Sequence, residues 1–218
     1  NVITVEDPVE YKLKGINQVQ VNTKAGMTFA AGLRSILRQD PDTIMIGEIR
    51  DSETAEIAVR AAITGHLVLS TLHTNDSPST IARLIDMGLE PYLVSSAVIG
   101  IISQRLVKLL CSKCKEKYEA SDSEKKILGI DGNKEIKLFK PVGCNACNNG
   151  YRGRAAVHEV MLVNENIRRL INKGASTDDI RSRALEDGMS TLLQSAADLA
   201  LKGDTSFEEI MRAGYTIG

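Results

Sequence analysis

Three apolar, β-branched runs of this sequence each bring an ionisable side chain to their end. The runs are residues 2–5, 43–49 and 67–72. Glu6 follows the first run, Glu48 lies near the end of the second, and His73 follows the third. None of the runs alternates cleanly between apolar and polar positions, which is typical of parallel strands buried on both faces. Ligands bind outside the carboxyl ends of strands in such open sheets, so we expect the three side chains to share one edge.

Two carboxylates and an imidazole at one sheet edge indicate phosphoryl chemistry. In such reactions the protein holds Mg²⁺, orients the attacking water and offsets the charge that develops on the phosphate. A carboxylate suits this task because it is ionised at neutral pH and accepts hydrogen bonds from water. Taken singly, an acid after an apolar strand is more often a helix cap or a surface residue. Three such ends in one sheet leave both interpretations open.

Two arginines precede the second run and could stabilise a transferring phosphoryl group. Arg34 and Arg38 lie four residues apart on a predicted helix over residues 28–39, beside its apolar stripe. Side chains at this spacing point the same way. The alternative is a solvated face on which these arginines pair with Asp40 or Glu48.

The phosphate-binding loop that usually accompanies such acids is not found in the 218 residues. A P-loop requires Gly-Lys followed by Ser or Thr, and none of the 17 glycines is followed by Lys. The chain also opens on Asn1 rather than Met, directly in strand-like sequence. Either the protein is not an NTPase, or the phosphate-binding loop lies upstream of Asn1.

Four cysteines form two close pairs that predict a metal site. Cys111 and Cys114 make one C-x₂-C pair, and Cys144 and Cys147 make the other after 29 intervening residues. Four thiolates suit tetrahedral Zn²⁺ and leave no open position, so the expected zinc is structural. Disulfides or idle thiols are the alternative. Residues 112–149 contain few apolar positions, and we expect them to disorder without metal.

Helical and strand patterns along the rest of the chain indicate a right-handed α/β fold. A short strand is predicted at residues 19–21 and another at 155–163. Further helices are predicted at residues 53–64 with Ser52 as cap, 79–87 and 91–110. Short helices follow residue 164, with caps at Asn164, Thr177, Ser190 and Ser206. The pattern divides the chain into residues 1–110, 111–150 and 151–218.

Composition argues against nucleic acid as a partner. The 27 basic and 28 acidic residues give a net charge of −1, so there is no bulk positive field. Trp is absent and aromatic residues are 4% of the chain, which disfavours base stacking. No apolar run reaches the length of a transmembrane helix. A zinc-ribbon module that binds protein or nucleic acid stays open as a second function, because the cysteine pattern alone allows it.

Three longer motifs resemble the secretion ATPase family, whose members drive type II secretion and type IV pilus assembly. They are ITVEDPVE from Ile3, LRQDPD from Leu37 running through to GEIRD at Asp51, and TGHLVLSTLHTND from Thr64. The resemblance covers essentially the whole chain. It implies the later part of a RecA-like P-loop NTPase core with a parallel sheet, a tetracysteine zinc insert and a C-terminal helical subdomain.

The resemblance also implies the function and the partners. Members are cytoplasmic homo-hexamers that hydrolyse ATP with Mg²⁺ and act on an inner-membrane platform protein. Extending and secreting motors carry a tetracysteine insert that retraction motors generally lack, so assembly or secretion is expected rather than retraction. A DNA-uptake relative stays open. Without its Walker A segment this chain alone is expected to be inactive.

Site roles follow from the motifs of the family. Glu48 matches the Walker B acid near Mg²⁺ and the attacking water, and Glu6 matches the Asp-box acid that places water or metal. His73 matches the residue that senses the γ-phosphate, with His66 as a second candidate. Arg34 and Arg38 match the arginines that precede Walker B in the family. The motif Tyr151-Arg152-Gly153-Arg154 matches a downstream arginine motif of the family, in which Arg154 is the favoured residue. Which of them act across a subunit interface stays open.

Overall fold

A computed structural model describes residues 1–131 and 134–214. Its strands are β1 (Val2–Glu6), β2 (Asn17–Gln20), β3 (Thr43–Ile46), β4 (Leu67–Ser70), β5 (Gly100–Leu110), β6 (Glu116–Glu119), β7 (Lys137–Lys140) and β8 (Tyr151–Leu162). Its α-helices are α1 (Phe29–Ile36), α2 (Ser52–Ile63), α3 (Ser77–Asp86), α4 (Pro91–Ala97), α5 (Asp122–Ile127), α6 (Glu165–Asn172), α7 (Thr177–Glu186), α8 (Leu192–Leu201) and α9 (Phe207–Gly214).

The chain divides into two compact units that interleave in sequence. The first unit is Asn1–Ile101 with Leu162–Ala184, and the second is Ile102–Met161 with Leu185–Gly218. The three-part division expected from the sequence stays a prediction. No helix among the described residues is both long and apolar enough to cross a bilayer.

A parallel four-stranded sheet forms the centre of the first unit. The strand order is β2-β1-β3-β4, and every neighbouring pair is parallel. Val5, Ile44 and Ile46 on the two central strands are fully buried, as expected of strands covered on both faces. The α/β class and the parallel sheet predicted from the sequence are confirmed.

Two helix boundaries differ from the sequence prediction, and both differences affect candidate site residues. α1 ends at Ile36 instead of Gln39, and Leu37 is its cap residue, so Arg38 lies in the turn beyond the helix. α2 begins one residue early, because the carboxylate of Asp51 accepts the Thr54 N–H and is therefore the cap. An Asp competes well for this position, which is why the prediction of a Ser52 cap is wrong.

The predicted helix over residues 91–110 is wrong after Ala97. Residues 100–110 form strand β5, in which Ser103 and Val107 are buried while Leu106 and Lys108 are exposed. The apolar side chains of this strand lie on both of its faces, so the sequence does not show the alternation that identifies a strand. β5 pairs with β8, which confirms a strand near the predicted residues 155–163.

The second unit has a core that includes part of the cysteine-containing segment. Ala120 and Leu138 pack with Val107, Ala196 and Ile210 in one buried cluster. β6 and β7 form an antiparallel pair next to that cluster. The segment between the cysteines therefore does not depend on its own apolar residues alone.

Caps of the C-terminal helices follow the sequence prediction in part. Asn164 accepts the Ile167 N–H and Ser206 accepts the Glu209 N–H, as predicted. Thr177 is instead the first residue of α7. Thr191 caps α8 in place of Ser190, because its hydroxyl and the Gln194 side chain bond reciprocally to each other's backbone.

Candidate functional site

Glu48 and His73 meet at the carboxyl edge of the parallel sheet. His73 Nε2 lies 3.3 Å from Glu48 Oε2, although the two residues are 25 apart in sequence. Backbone hydrogen bonds continue beyond the strands and hold both segments, since the Ile49 N–H donates to the Thr71 carbonyl at 3.0 Å. The Thr71 hydroxyl adds a 2.7 Å hydrogen bond to the Gly47 carbonyl. The strand ends are thus fastened to each other where the two side chains emerge.

Glu48 is also paired with Arg50, which the sequence analysis did not single out. Arg50 Nη2 lies 2.6 Å from Glu48 Oε1, so the carboxylate contacts a guanidinium on one oxygen and an imidazole on the other. The hydrogen bond from Arg50 is the main reason why the pKa of Glu48 is lowered, and burial opposes it. Glu48 and Arg50 lie two residues apart in the segment that follows β3, on either side of buried Ile49. That i, i+2 spacing is the signal that could have identified Arg50.

Glu6 ends β1 at the same edge and has a fixed orientation. Its Oε1 accepts the Thr4 hydroxyl at 2.5 Å and the Gln18 amide at 2.9 Å. Thr4 is buried, and Gln18 belongs to the neighbouring strand β2, so both donors have rigid supports. These two hydrogen bonds hold Oε1 of Glu6 against β1 and β2.

His66 lies at the other end of β4 from His73. It immediately precedes that strand, and its Nδ1 is 3.1 Å from the Ala61 carbonyl at the end of α2. The structure does not bring His66 to the edge that carries Glu48.

The three candidate arginines are exposed and lie outside the Glu48 and His73 contact. Arg34 Nη2 pairs with Glu53 Oε1 at 2.5 Å, a partner that differs from the expected Asp40 or Glu48. Arg38 follows α1, and Arg154 lies in β8 of the second unit. Exposed pairs such as the one made by Arg34 contribute little stability, so this arginine is available to another anion.

The four cysteines converge on one point. Their sulfur atoms all lie within 4.8 Å of one another, and none forms a disulfide. The separations are 4.0 Å for Cys111–Cys144 and 3.7 Å for both Cys114–Cys147 and Cys144–Cys147. A tetrahedron with Zn–S bonds of about 2.3 Å places its sulfurs about 3.8 Å apart. The cluster therefore fits a closed, structural Zn²⁺ site.

Backbone turns and one lysine support this cluster. The Cys144 N–H donates to Cys147 Sγ, which helps to lower the pKa of Cys147 to about 7 against the effect of burial. Burial is the main cause that raises the pKa of Cys114 to about 11. Lys115 Nζ donates to the Gly203 carbonyl at 2.6 Å and lies 4.7 Å from the centre of the Phe139 ring. The first cysteine pair is in this way linked to the turn between α8 and α9.

A cleft of about 410 Å³ lies in the first unit beside β1, β2 and α1. Its lining comes from β1, β2, α1 and their flanks: Asn1, Ile3, Asn17, Val19, Met27, Gly32, Ser35, Ile36 and Gln39. Asn1 and Asn17 are at the amino ends of their strands, and no predicted site residue lines the cleft. Ligands of open parallel sheets bind at the carboxyl edge, so this cleft at the amino ends of the strands is not assigned as the candidate site.

Comparisons with known proteins agree with the motifs. The family model described as type II/IV secretion system protein matches residues 1–212. Type II secretion system protein E of Pseudomonas aeruginosa is 50% identical over 213 residues, covering 97% of this chain and 42% of that protein. The type IV pilus assembly ATPase PilB of Thermus thermophilus is 50% identical over 215 residues, covering 97% of this chain and 24% of that protein. This chain thus spans less than half the length of either relative.

Solved structures share the fold. A crystal structure of the pilus retraction motor PilT with bound ADP matches with a TM-score of 0.70 and 32% identity, covering 98% of this chain and 52% of that chain. The ATPase DotB of Legionella pneumophila matches with a TM-score of 0.67 and 21% identity, covering 97% of this chain and 50% of that one. The second match concerns the fold alone.

Proposed function

Because this chain belongs to the type II/IV secretion system protein family, we propose that it forms part of a hexameric ATPase motor. The motor would drive type IV pilus assembly or type II secretion through an inner-membrane platform protein. The contact between Glu48 and His73 at the carboxyl edge of the sheet carries this proposal. It is supported by relatives near 50% identity that are named for secretion or pilus assembly, whereas the retraction motor is 32% identical.

Glu48 is the residue that we assign to the attacking water. The water oxygen attacks the γ-phosphorus of ATP, the bond from that phosphorus to the ADP oxygen breaks, and the water proton passes to the carboxylate. A carboxylate with a lowered pKa is a weak base, so its main contribution is to orient the water. Mg²⁺ would offset the phosphate charge, and Glu48 and Glu6 offer the carboxylate oxygens that this ion prefers.

His73 and the arginines are assigned to the phosphate. The His73 side chain is 88% exposed beside Glu48, so an incoming γ-phosphate can reach its ring. Arg34, Arg38 and Arg154 are the cations that we assign to developing charge, in the same subunit or across an interface. His66 lies at the amino end of β4, away from Glu48, and is not included in the proposed phosphate contacts. The four cysteines hold Zn²⁺ in a structural role.

The direct test compares this chain with the full-length protein that contains it. The full-length protein is expected to release phosphate from ATP in the presence of Mg²⁺. The isolated 218 residues are expected to show negligible turnover and no binding of ATP by calorimetry. Without P-loop amides and lysine, the β- and γ-phosphates meet mainly acids. Normal ATP affinity of the isolated chain would contradict the proposal that ATP binding needs a phosphate-binding loop outside these 218 residues.

Arg50→Gln is expected to change the pH dependence of hydrolysis in the full-length protein. The guanidinium holds the pKa of Glu48 below its ordinary value, so its loss lets that pKa rise. Because the ionised carboxylate is the active form, the acid limb of the kcat profile should move to higher pH. The matched control is Arg60→Gln, which breaks an exposed pair with Glu56 on α2. An acid limb that stays in place would show that Arg50 does not act on Glu48.

A further inference from the structure

The loop that carries His73 is fastened at both of its ends. At its start, Thr71 bonds to Gly47 and Ile49, as described above. At its far end, Asp76 Oδ1 accepts the Ser79 N–H at 2.8 Å and so caps α3. The Thr74 and Thr80 hydroxyls lie 2.8 Å apart and add a second tie to α3. His73 itself is exposed, so its position depends on these anchors.

The other oxygen of Asp76 is bonded to a residue far along the chain. Arg181 Nη2 in α7 lies 2.9 Å from Asp76 Oδ2, across 105 residues. Both side chains are partly buried, with 33% of Arg181 and 21% of Asp76 exposed. Burial would raise the pKa of Asp76, but hydrogen bonds from Ser79 and the pair with Arg181 outweigh it and lower that pKa. The Asp76 carboxylate thus caps α3 with one oxygen and pairs with the Arg181 guanidinium through the other.

Arg181 is presented by a segment that is itself firmly packed in the first unit. α6, which precedes α7, buries Ile167 and Ile171 almost completely. Asn172 at its end accepts the Ser95 hydroxyl of α4 at 2.9 Å. α7 in turn buries Ile180, the residue before Arg181, so the guanidinium extends from a packed helix and can fix the position of Asp76.

We propose that Arg181 is a positioning residue. By pairing with Asp76 at the end of the His73 loop, it keeps His73 in contact with Glu48. The inference rests on the proposed ATPase function and adds a residue of the C-terminal helices to the same site. Asp76 keeps its α3 cap without Arg181, because Ser79 still donates to it. Loss of the pair should therefore misplace the loop without unfolding α3.

The test is a double-mutant cycle in the full-length protein. Arg181→Gln is expected to lower kcat about tenfold with little change in KM for ATP. In a His73→Ala background the same substitution should lower kcat by less than about twofold, because the group that it positions is gone. An equal loss in both backgrounds would overturn the proposal, since a general effect on stability would act regardless of His73.

Three further variants keep the result interpretable. Arg181→Lys should recover part of kcat, because it retains the charge. Asp76→Asn removes the ion pair but keeps a good helix cap, so it should reproduce the loss even if Arg181→Gln folds poorly. Arg169→Gln breaks the exposed pair with Glu165 on neighbouring α6 and should leave kcat unchanged.

Failure of the inference is distinguishable from failure of the proposed function. If His73→Ala lowers kcat while Arg181→Gln does not, the ATPase assignment stands and the role of Arg181 is rejected. If the unchanged full-length protein releases no phosphate from ATP, the proposed function is rejected. If it does release phosphate and neither substitution changes the rate, the ATPase assignment stands and the roles of His73 and Arg181 are both rejected.

Discussion

Glu48→Gln in the full-length protein is expected to stop ATP hydrolysis while ATP still binds. The amide keeps the shape of the side chain but loses the charge that orients water and the capacity to take up its proton. Positioned groups of this kind contribute about 10² to 10⁴ in rate, so phosphate release should fall by at least that range. Binding depends mainly on the phosphate cradle and should persist in calorimetry or with a fluorescent nucleotide.

The matched control for this substitution lies on a neighbouring helix. Glu56→Gln changes the same side chain in the same way on α2, where Glu56 is exposed and pairs with Arg60. Its turnover should equal that of the unchanged protein. If Glu48→Gln retained steady-state turnover, the role assigned to Glu48 would be rejected. The contact between Glu48 and His73 would then no longer support the proposed function.

The strand ends could be predicted from the sequence because parallel pairing has few solutions. Three apolar runs, each ended by an ionisable residue, are expected to align their carboxyl ends in a parallel sheet. The first two are the buried central strands, whereas the third, β4, is last in the strand order and exposes Leu67 and Leu69. The contact between Glu48 and His73 follows from that alignment. The cysteine cluster was equally predictable, because a C-x₂-C spacing lets both sulfurs face one ion.

Partners that depend on tertiary packing could not be predicted in the same way. Arg181 reaches Asp76 across 105 residues, and no local spacing encodes that distance. The end of α1 before Arg38 depends on how the turn to β3 closes, which propensity alone does not determine. The sequence of β5 predicts a helix because the exposed face of this strand also carries large apolar residues, Ile102 and Leu106 among them. Sequence patterns show local periodicity, whereas these features arise from packing.

Removal of zinc is expected to unfold the cysteine region while the parallel sheet stays folded. Structural zinc contributes about 10 to 16 kcal/mol in small zinc-binding peptides, which is comparable with the about 5 to 15 kcal/mol of a whole domain. Elemental analysis should find one zinc per chain. After strong chelation, or in Cys114→Ala, hydrogen exchange should accelerate at β6 and β7, whereas β1 and β3 should stay protected.

The residues around the cysteines provide a control for zinc removal and limit how far the unfolding should extend. Ser112→Ala changes an exposed position between the first two cysteines and should keep both zinc and protection. Leu138 is fully buried in a core shared with α8 and α9, so the loss of zinc should weaken that core without unfolding it completely. Native protein that contains no metal, or chelation that leaves exchange unchanged, would show that the thiols do not hold a structural ion.

The contacts of Lys115 and Phe139 determine where the effect of zinc loss should reach next. Lys115 follows the first cysteine pair and donates to the Gly203 carbonyl, while the Phe139 ring packs directly on Gly203. A Cβ at position 203 would lie 2.6 Å from that ring, so β7 and the turn after α8 fit together without spare room. When zinc is lost, Lys115 loses its fixed position, and exchange should rise next at residues 202–204. Acceleration at β6 and β7 with no change at this turn would mean that the turn is held by α8 and α9 alone.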